Sequence, residues 1–308
     1  MSDFKYSVSI IIVNYNTSLL LKNCIESIYR HTKKIDFEII VSDNDSKDDS
    51  VSMLKENFPE VKIIENGENL GFGRANNRGL KKALGKYIFY LNSDTILLNN
   101  AVKMFYDWWE GHSEESIGAL GANLLNTQNE VIHSYGEILP LKKRLNKIFH
   151  CWLGISKDTV KYFFTKKLDT FTIEHHAQYT TGKVPYITGA DLFVKNDEYA
   201  FYDEQYFMYN EEVDLQLNLH KNGKDSFLIE GPQIIHLEGG STKKLPAKVK
   251  YLSSAGNIQL HKSYIQFYKK NFYNFFGIFL MKLFVTLIWL NPLIYSQCKK
   301  YIKEIWKI

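Results

Sequence analysis

Carboxylates stand at a few short points of the sequence where they could do chemistry. Asp94 lies in Asn-Ser-Asp-Thr, directly after the apolar run of residues 87–91. A carboxylate in such a turn could hold a divalent metal ion, and the metal ion could hold a diphosphate. Asp43, which also follows an apolar run, could hydrogen-bond a base or a ribose. Taken alone, each of the two is more simply explained as a turn or helix-capping residue.

A denser acidic cluster, Glu211-Glu212-Val213-Asp214, follows the aromatic run of residues 206–209. Aromatic neighbours would exclude water from a carboxylate, which favours its use as a general base. The same cluster fits a helix N-terminus, where acidic residues favour the helix dipole, and both interpretations can hold. His236 precedes Leu-Glu-Gly-Gly, and a neutral imidazole there could bind a metal. A lone histidine is more often an ordinary polar residue.

The elements that must position these clusters alternate through the first 110 residues. Strands are predicted at 8–13, 37–41, 61–65 and 87–91, and helices at 19–29, 50–57, 74–84 and 98–110, with Thr17 or Ser18 capping the first helix. The alternation is typical of βαβ units and predicts an α/β fold with a mostly parallel sheet flanked by helices. Three strands end in polar clusters, at 14–16, 43–45 and 92–94. Open α/β sheets bind ligands at the carboxyl ends of their strands, so the clusters predict one shared site.

The pattern changes after residue 140. Residues 140–183 lack clean periodicity and are interpreted as an insertion or lid on the acceptor side of a domain spanning 1–241, with one short helix at 158–166. A strand at 185–194, a helix at 214–222 and short strands at 226–230 and 233–237 complete that domain. Residues 242–308 are predicted to form a separate basic, hydrophobic and helical C-terminal region.

The formal net charge of +4 is unevenly distributed. Residues 241–308 contain twelve lysines and one acidic residue, so the remainder of the chain is acidic. This argues against a uniform nucleic-acid binder and for an anionic partner of the C-terminal region. Residues 275–295 are nearly all apolar but include Lys282 and Pro292. They predict a helix that lies in or dips into the membrane interface, anchored by flanking lysines; burial in a dimer or against the rest of the chain is the alternative.

Taken together, these segments resemble glycosyltransferase family 2, the inverting nucleotide-sugar transferases with a GT-A fold. Blocks in family order carry the resemblance: VSIIIVNYN at 8–16, VSDNDS at 41–46, NLGFGRANN at 69–77, LNSDT at 91–95, TGAD at 188–191, FMYNEEVDL at 207–215 and HLEGGS at 236–241. Any single block is weak, whereas the ordered set is specific. The branch that the chain most resembles is the bacterial rhamnosyltransferase-like enzymes of surface-polysaccharide assembly.

The resemblance implies a role for each matching position. Glu212 is the expected catalytic base. Many relatives have Asp at this position, and Glu is one methylene longer, so Glu211 is kept as a second candidate. Asp94 and His236 are expected to bind Mg²⁺ or Mn²⁺, and Asp94 must carry the charge because Asn92 replaces the first Asp of the family's DxD motif. The expected donor-binding residues are Asn14, Tyr15, Asn16, Asp43, Asp45, Gly71, Arg74, Asn77, Asn92 and Ser93. The expected acceptor-binding residues are Gly189, Ala190 and Asp191.

The implied reaction is a single displacement at the anomeric carbon of a nucleoside-diphosphate sugar. The donor is expected to be dTDP-L-rhamnose, with UDP-galactose, UDP-galactofuranose, UDP-glucose or a GDP-sugar as alternatives. The acceptor would be a polyprenyl-diphosphate-linked glycan or an oligosaccharide at the cytoplasmic face of the membrane. The enzyme would sit peripherally on that face, with a homodimer as one option and no nucleic-acid partner. Three widely spaced cysteines and a short N-terminal apolar run fit a reducing compartment and predict no signal peptide.

A non-catalytic sugar-nucleotide-binding scaffold in an assembly complex is the alternative, since Asn92 and Glu212 both depart from the common pattern. Nucleotidyl transfer is disfavoured because no glycine-rich basic signature follows the first strand. A nicotinamide enzyme is disfavoured because no GxGxxG motif stands there.

Overall fold

The computed structural model describes residues 4–112, 116–165, 178–237, 252 and 254–308. The chain divides into two compact units. The first is built from segments within residues 1–138, 175–207 and 211–240, and the second from segments within 139–174, 208–210 and 241–308. Of the predicted C-terminal region, residues 242–251 and 253 lie outside the described residues, as do residues 238–241 of the last family block and residues 166–177 of the predicted insertion.

The first unit is organised around a mixed sheet. Its strands are β1 Tyr6–Asn14, β2 Phe37–Asp43, β3 Lys62–Glu65, β4 Gly85–Asn92, β5 Thr95–Leu97, β6 Ile117–Gly121, β7 Tyr135–Gly136, β8 Gly182–Val184, β9 Tyr186–Ile187, β10 Asp191–Lys195, β11 Asp225–Leu228 and β12 Ile234–His236. Eight of them form one sheet in the order β3-β2-β1-β4-β10-β6-β11-β8. β1 to β4 pair in parallel, whereas β10 runs antiparallel to both β4 and β6. Smaller antiparallel pairs join β12 to β5 and β7 to β9.

Helices cover both faces of this sheet because its strands are apolar on both sides. In the first unit they are α1 Ser18–His31, α2 Ser50–Asn57, α3 Phe72–Leu80, α4 Ala101–Gly111 and α6 Glu211–Lys221. Val8, Ile10 and Ile12 of β1 pack in one buried cluster with α1 and α4, whereas Ile11 packs in a second cluster with Leu80 of α3. The α/β fold class is therefore confirmed, with a sheet that is mixed beyond β4.

Several predicted elements have different bounds in the structure. The helix predicted at 74–84 ends at Leu80, and the one predicted at 98–110 begins only at Ala101 because residues 95–97 form β5. The strand predicted at 185–194 is two strands, β9 and β10, separated by the turn that contains Gly189. β6, a central strand, was not predicted at all. Its sequence, IGALG, is short and contains two glycines, so it carries little strand signal.

The second unit is helical. Its helices are α5 Leu141–Thr165, α7 Ala255–Asn271, α8 Phe275–Trp289 and α9 Tyr295–Lys307. The prediction of one short helix at 158–166 was wrong, because α5 is 25 residues long. α8 ends before the Asn291-Pro292 pair, since proline lacks the amide hydrogen that a helix needs. Among the described residues, no helix is both long and apolar enough to cross a membrane.

Candidate active site

The polar clusters meet at one edge of the sheet, as the sequence predicted. β2, β1 and β4 are neighbours, and Asn14 at the end of β1 lies in register with Asp43 of β2. On the other side Val13 lies in register with Asn92, the last residue of β4. Three side chains from segments far apart in the sequence therefore line the carboxyl edge of the parallel strands. This edge is where α/β sheets place their ligands.

Asp43 is buried and held by local donors. Its Oδ1 accepts hydrogen bonds from Asn14 Nδ2 at 2.8 Å and from Ser46 Oγ at 2.6 Å, and its Oδ2 accepts one from the Ser46 amide at 2.9 Å. Such a carboxylate is fixed in position before any ligand arrives. It can present its remaining lone pairs to a ribose or base without an entropic cost for ordering the side chain.

The residues next to Asp43 form a turn that backs onto β1. Asn16 and Asp45 both adopt positive φ, 54° and 64°, which Asn and Asp tolerate better than other side chains. Asn16 Oδ1 accepts from the Lys47 amide at 2.6 Å, and Asp45 pairs with Lys47 Nζ at 2.7 Å. Tyr15, between Asn14 and Asn16, is exposed. An exposed aromatic ring at a nucleotide edge provides a stacking surface for a base.

Gly71, Arg74 and Asn77 lie where α3 meets the segment before α6. Gly71 has φ 82°, and a Cβ there would lie 2.0 Å from the Phe207 carbonyl oxygen, so the position accepts glycine alone. Asn77 is buried and its amide is used by the fold: Nδ2 donates to the Tyr202 carbonyl at 2.9 Å and Oδ1 accepts from the Tyr202 amide at 3.0 Å. Arg74 Nε donates to the Glu204 carbonyl. Gly71, Arg74 and Asn77 therefore hold α3 against the segment before α6.

Asp94 and His236 lie side by side at this edge. β12 pairs with β5 so that His236 lies opposite Thr95, and His236 Nε2 is 3.3 Å from Asp94 Oδ1. Asn92 Nδ2 lies 3.4 Å from the same ring nitrogen. Both the carboxylate and the imidazole are mostly buried, with side-chain exposures of 23% and 15%.

The donor set of this centre fits a divalent metal. Among the described residues, Asn92 Oδ1 is buried without a hydrogen-bond partner, so this oxygen is available to a ligand beside Asp94 and His236. A carboxylate oxygen suits either Mn²⁺ or Mg²⁺, whereas the imidazole nitrogen favours Mn²⁺, the softer of the two. No third His, Cys, Asp or Glu joins them within the part of the chain that the structure describes. The remaining ligands would have to come from diphosphate oxygens and water.

Gly189 and Ala190 connect this centre to the acidic cluster. The Asn92 amide donates to the Ala190 carbonyl at 3.0 Å, which fixes the turn before β10 against the end of β4. A Cβ at Gly189 would lie 3.7 Å from Cβ of Glu212 and 3.6 Å from the Phe72 ring. Glu212 is therefore separated from Asn92 only by the Gly189-Ala190 turn, and its side chain lies beside that turn.

Glu211 and Glu212 have different surroundings although they are adjacent. Glu211 is buried, and its Cβ lies 3.6 Å from the Cβ position of Gly73 on α3. Glu212 is half-buried and faces the Gly189 turn. Burial, followed by the nearby Tyr90 hydroxyl and the two carboxylates, raises the pKa of the Tyr202 phenol, which therefore stays protonated beneath this pair. Of the two, Glu212 has the access that proton transfer from a substrate requires.

Asp191 lies in the interior. It is fully buried at the start of β10, and its Oδ2 accepts from the Ala122 amide at 2.7 Å. Oδ1 has no hydrogen-bond partner among the described residues. Burial raises the pKa of this carboxyl group well above its usual value. Its neighbours Gly189 and Ala190 lie at the edge, whereas Asp191 itself lies beneath it.

The sequence reasoning missed one role of Thr17, which is to link two strand ends. Thr17 Oγ1 donates to Asn14 Oδ1 at 2.7 Å and lies 3.1 Å from Ser93 Oγ. It was predicted as a possible cap of α1, but its side chain makes no capping bond. Its place directly after Asn-Tyr-Asn was the one available signal. It ties the end of β1 to the turn that carries Asp94.

The N-terminal half of the chain is similar to a known protein family. Residues 9–158 match the family model described as glycosyl transferase family 2. The match supports the assignment to glycosyltransferase family 2 that the sequence motifs carry. It ends before the Gly189 turn, the acidic cluster and His236, so the roles of those residues rest on the ordered motifs and on the geometry above.

Curated relatives are matched over part of their length. A poly(ribitol-phosphate) beta-glucosyltransferase of Bacillus spizizenii is 34% identical over 37% of this chain, and the matched part is 19% of that protein. The first relatives of this kind are thus matched over about a fifth of their length or less. An N-acetylglucosaminyl-diphospho-decaprenol L-rhamnosyltransferase of Mycobacterium tuberculosis is 24% identical over 77% of this chain and 78% of its own.

Solved structures share the fold. A mannosyltransferase of Pyrobaculum calidifontis, in complex with GDP-Man and Mn²⁺, superposes with a TM-score of 0.54 at 13% identity, covering 99% of this chain and 76% of its own. GalNAc-T7 with UDP, GalNAc and Mn²⁺ gives a TM-score of 0.54 at 14% identity, covering 96% of this chain and 58% of its own. At these identities the likeness confirms the GT-A fold.

Proposed function

We propose that this family 2 glycosyltransferase moves a sugar from a nucleoside diphosphate to a hydroxyl group of a lipid-linked glycan in bacterial cell-surface polysaccharide synthesis. The single observation that carries the proposal is the linked arrangement of Asp94, His236 and Glu212 at one sheet edge. A paired carboxylate and imidazole suit the metal of a diphosphate donor, and a separate, accessible carboxylate lies one turn away. Such a pair of functions is what a direct sugar transfer requires.

In the proposed mechanism Asp43 and Tyr15 hold the nucleoside, while Asn14, Thr17 and Ser93 keep the strand ends in place beneath the diphosphate. Asp94 and His236 would hold the cation. When bound, the cation supplies positive charge that stabilises the departing diphosphate.

Glu212 accepts the proton of the acceptor hydroxyl at its carboxylate as the oxygen attacks the anomeric carbon. The Gly189 turn borders the Glu212 side chain, since a Cβ at Gly189 would lie 3.7 Å from its Cβ and 3.8 Å from its Cγ. Attack opposite the leaving diphosphate inverts the anomeric configuration in a single step. The proton ends on Glu212, and the nucleoside diphosphate leaves with the electron pair of the broken bond.

For the donor we propose dTDP-L-rhamnose. The support is the rhamnosyltransferase of Mycobacterium tuberculosis, which matches most of this chain. Another relative, a UDP-Glc:alpha-D-GlcNAc-diphosphoundecaprenol beta-1,3-glucosyltransferase of Escherichia coli, is 33% identical over 32% of the chain. Both names include a polyprenyl-diphosphate acceptor, which supports a lipid-linked acceptor here. Because of the glucosyltransferase, UDP-glucose is the main alternative donor. The proposed metal ion is Mn²⁺ or Mg²⁺.

An acceptor that stays in the membrane requires the enzyme at the membrane surface. We propose a peripheral position on the cytoplasmic face, supported by the basic second unit. Its described residues include fourteen lysine or arginine side chains and two carboxylates, Asp158 and Glu304. Anionic lipid headgroups attract such a unit.

The test is release of nucleoside diphosphate from a panel of nucleotide sugars, with Mn²⁺ or Mg²⁺ and with a membrane extract as the acceptor source. We expect release from one donor, lowered about 10²–10⁴-fold by Glu212→Gln and abolished by Asp94→Ala. Glu198→Gln, an exposed carboxylate changed in the same way, is the matched control and should leave the release unchanged. Absence of release from every donor with extract present would contradict the proposal and favour the binding scaffold.

A further inference from the structure

Helix α8 is apolar on its outward face as well as on its inward face. Ile278, Met281, Val285 and Ile288 are buried within the second unit. The opposite side of the helix carries an apolar strip at alternating spacings of four and three residues, and every member of the strip is half-buried or exposed: Phe276, Leu280, Leu283, Leu287 and Leu290. A helix of a water-soluble protein normally has polar residues at such positions, so this face is built for an apolar neighbour.

Within the described part of the chain, the helices that pack against α8 lie to either side of the apolar strip. On one side α5 packs against α8, with the Phe149 and Phe284 rings 5.4 Å apart. On the other side α9 packs against it, with the Trp306 indole donating to Thr286 Oγ1 at 3.0 Å. Lys282 lies on this second side, 5.9 Å from the Trp306 ring, and not on the strip. The lysine that interrupts the apolar sequence is therefore compatible with a purely apolar outward face.

The N-terminal end of α8 adds exposed aromatic rings to the strip. Tyr273 and Phe275 are 86% and 80% exposed, and Phe276 is 67% exposed. Phe272, just before them, is anchored by its contacts with Phe267 and Tyr268, 5.9 and 5.4 Å between ring centres. Rings held out on a fixed corner bury about 150–250 Å² each when they find an apolar phase, and aromatic residues favour the membrane–water interface.

Charge identifies the neighbour as an anionic membrane surface. Lys269 and Lys270 end α7 immediately before the aromatic corner, and the described part of the second unit has seven basic side chains for each acidic one. A second copy of the same basic unit would bring like charges together at the strip, whereas anionic phospholipid would neutralise them. With 15 residues, α8 is about 22 Å long and too short to span a bilayer.

We propose that α8 lies flat in the headgroup region of an anionic phospholipid membrane, with the apolar strip and the Tyr273–Phe276 corner inserted and the lysines at headgroup level. This membrane contact extends the proposed function. It depends on that function only because a lipid-linked acceptor gives the protein a reason to be at a membrane. It assigns the binding to one helix face instead of to the charge of the whole region.

The test measures co-sedimentation of the full chain with vesicles of phosphatidylglycerol and phosphatidylcholine. We expect Tyr273→Ser/Phe275→Ser/Phe276→Ser to lower the vesicle partition coefficient about tenfold or more. The matched control is Phe163→Ser/Phe164→Ser, two exposed rings at the end of α5, which should bind as the wild type does. Vesicles of phosphatidylcholine alone should bind much less protein, and about 1 M salt should weaken binding to the anionic vesicles.

Unchanged vesicle binding by the triple variant would overturn the proposal, as would equal losses in the triple and the control. Light scattering without vesicles provides a second measurement: a wild-type dimer that the triple variant dissociates would assign the strip to a second copy. Nucleoside-diphosphate release from soluble donor separates this proposal from the proposed function. If that release is absent but the triple variant still loses vesicle binding, the proposed function fails and the proposal of a membrane-binding surface is retained.

Discussion

Asp94 Oδ1 lies 3.3 Å from His236 Nε2 because the antiparallel pairing of β5 with β12 sets His236 opposite Thr95. The turn after β4 and the last described strand are thereby joined at one point. With two protein ligands, a cation would depend on the diphosphate for part of its coordination. Metal binding and donor binding should therefore strengthen each other.

The first prediction concerns this coupling. Asp94→Asn and His236→Gln should each weaken Mn²⁺ binding, measured by calorimetry in the presence of nucleoside diphosphate, by at least about tenfold. Without the nucleotide, the wild type should bind Mn²⁺ much more weakly. His150→Gln, an exposed histidine in the second unit, is the control. Equal Mn²⁺ affinity in His236→Gln and wild type would remove His236 from the site.

The second prediction compares two glycines that both have positive φ. Gly67 and Gly71 have φ of 74° and 82°, but only Gly71 approaches another chain segment, the Phe207 carbonyl. Gly67→Ala should cost about 1–2 kcal/mol of unfolding free energy from the positive φ alone. Gly71→Ala should cost clearly more, because Phe207 or α3 must move. Urea unfolding measures both, and equal losses would show that the contact with Phe207 is unimportant.

The sequence predicted the sheet edge better than it predicted the rest of the fold. Strand ends at Asn14, Asp43 and Asn92 follow from apolar runs that stop at polar residues, which is a local signal. The pairing of Asp94 with His236 was expected through the family resemblance, because nothing local in the sequence brings them together. Thr17 was not foreseen as a link, since a hydroxyl after a strand is equally typical of a helix cap.

The helix α5 shows why the second unit was predicted poorly. Its buried residues, Ile148, Ile155 and Thr159, are helically spaced, but polar and aromatic residues between them, such as His150, Trp152 and Lys157, obscured the period. In the structure, α5 is fixed by contacts with other helices of the second unit; for example, Asn291 Nδ2 donates to Thr159 Oγ1 at 2.7 Å. Tertiary partners of this kind lie more than a hundred residues away and leave no local trace in the sequence.

A third prediction follows from the buried carboxyl group of Asp191. Burial raises its pKa in the folded protein, so its favourable contribution to stability is complete only below the unfolded pKa and is lost as pH rises toward the folded pKa. At about pH 7.5, Asp191→Asn should therefore raise the unfolding free energy by about 1–3 kcal/mol, and the gain should shrink toward acidic pH. Exposed Asp36→Asn should change nothing. A less stable Asp191→Asn near neutral pH would contradict this assignment of the raised pKa.

A fourth prediction uses His261 in the second unit. Burial lowers its pKa to about 4, and its ring packs edge-on against Trp289. The folded state thus favours the neutral ring, so stability is complete above the unfolded pKa of about 6.5 and is lost as pH falls toward the folded pKa. At about pH 5 the loss from this residue should be about 2 kcal/mol. His261→Phe should remove that part of the pH dependence in urea unfolding, and an unchanged dependence would refute it.

Whether Glu212 rather than Glu211 is the catalytic base decides the proposed mechanism. Transfer of labelled sugar to a lipid-linked acceptor should be measured for Glu212→Gln and Glu211→Gln, with thermal melting to show that both variants fold. We expect that Glu212→Gln lowers the transfer rate about 10²–10⁴-fold and retains donor binding. Glu211→Gln should fold and keep most of the wild-type transfer rate. A folded Glu212→Gln variant that transfers sugar at the wild-type rate would contradict the mechanism.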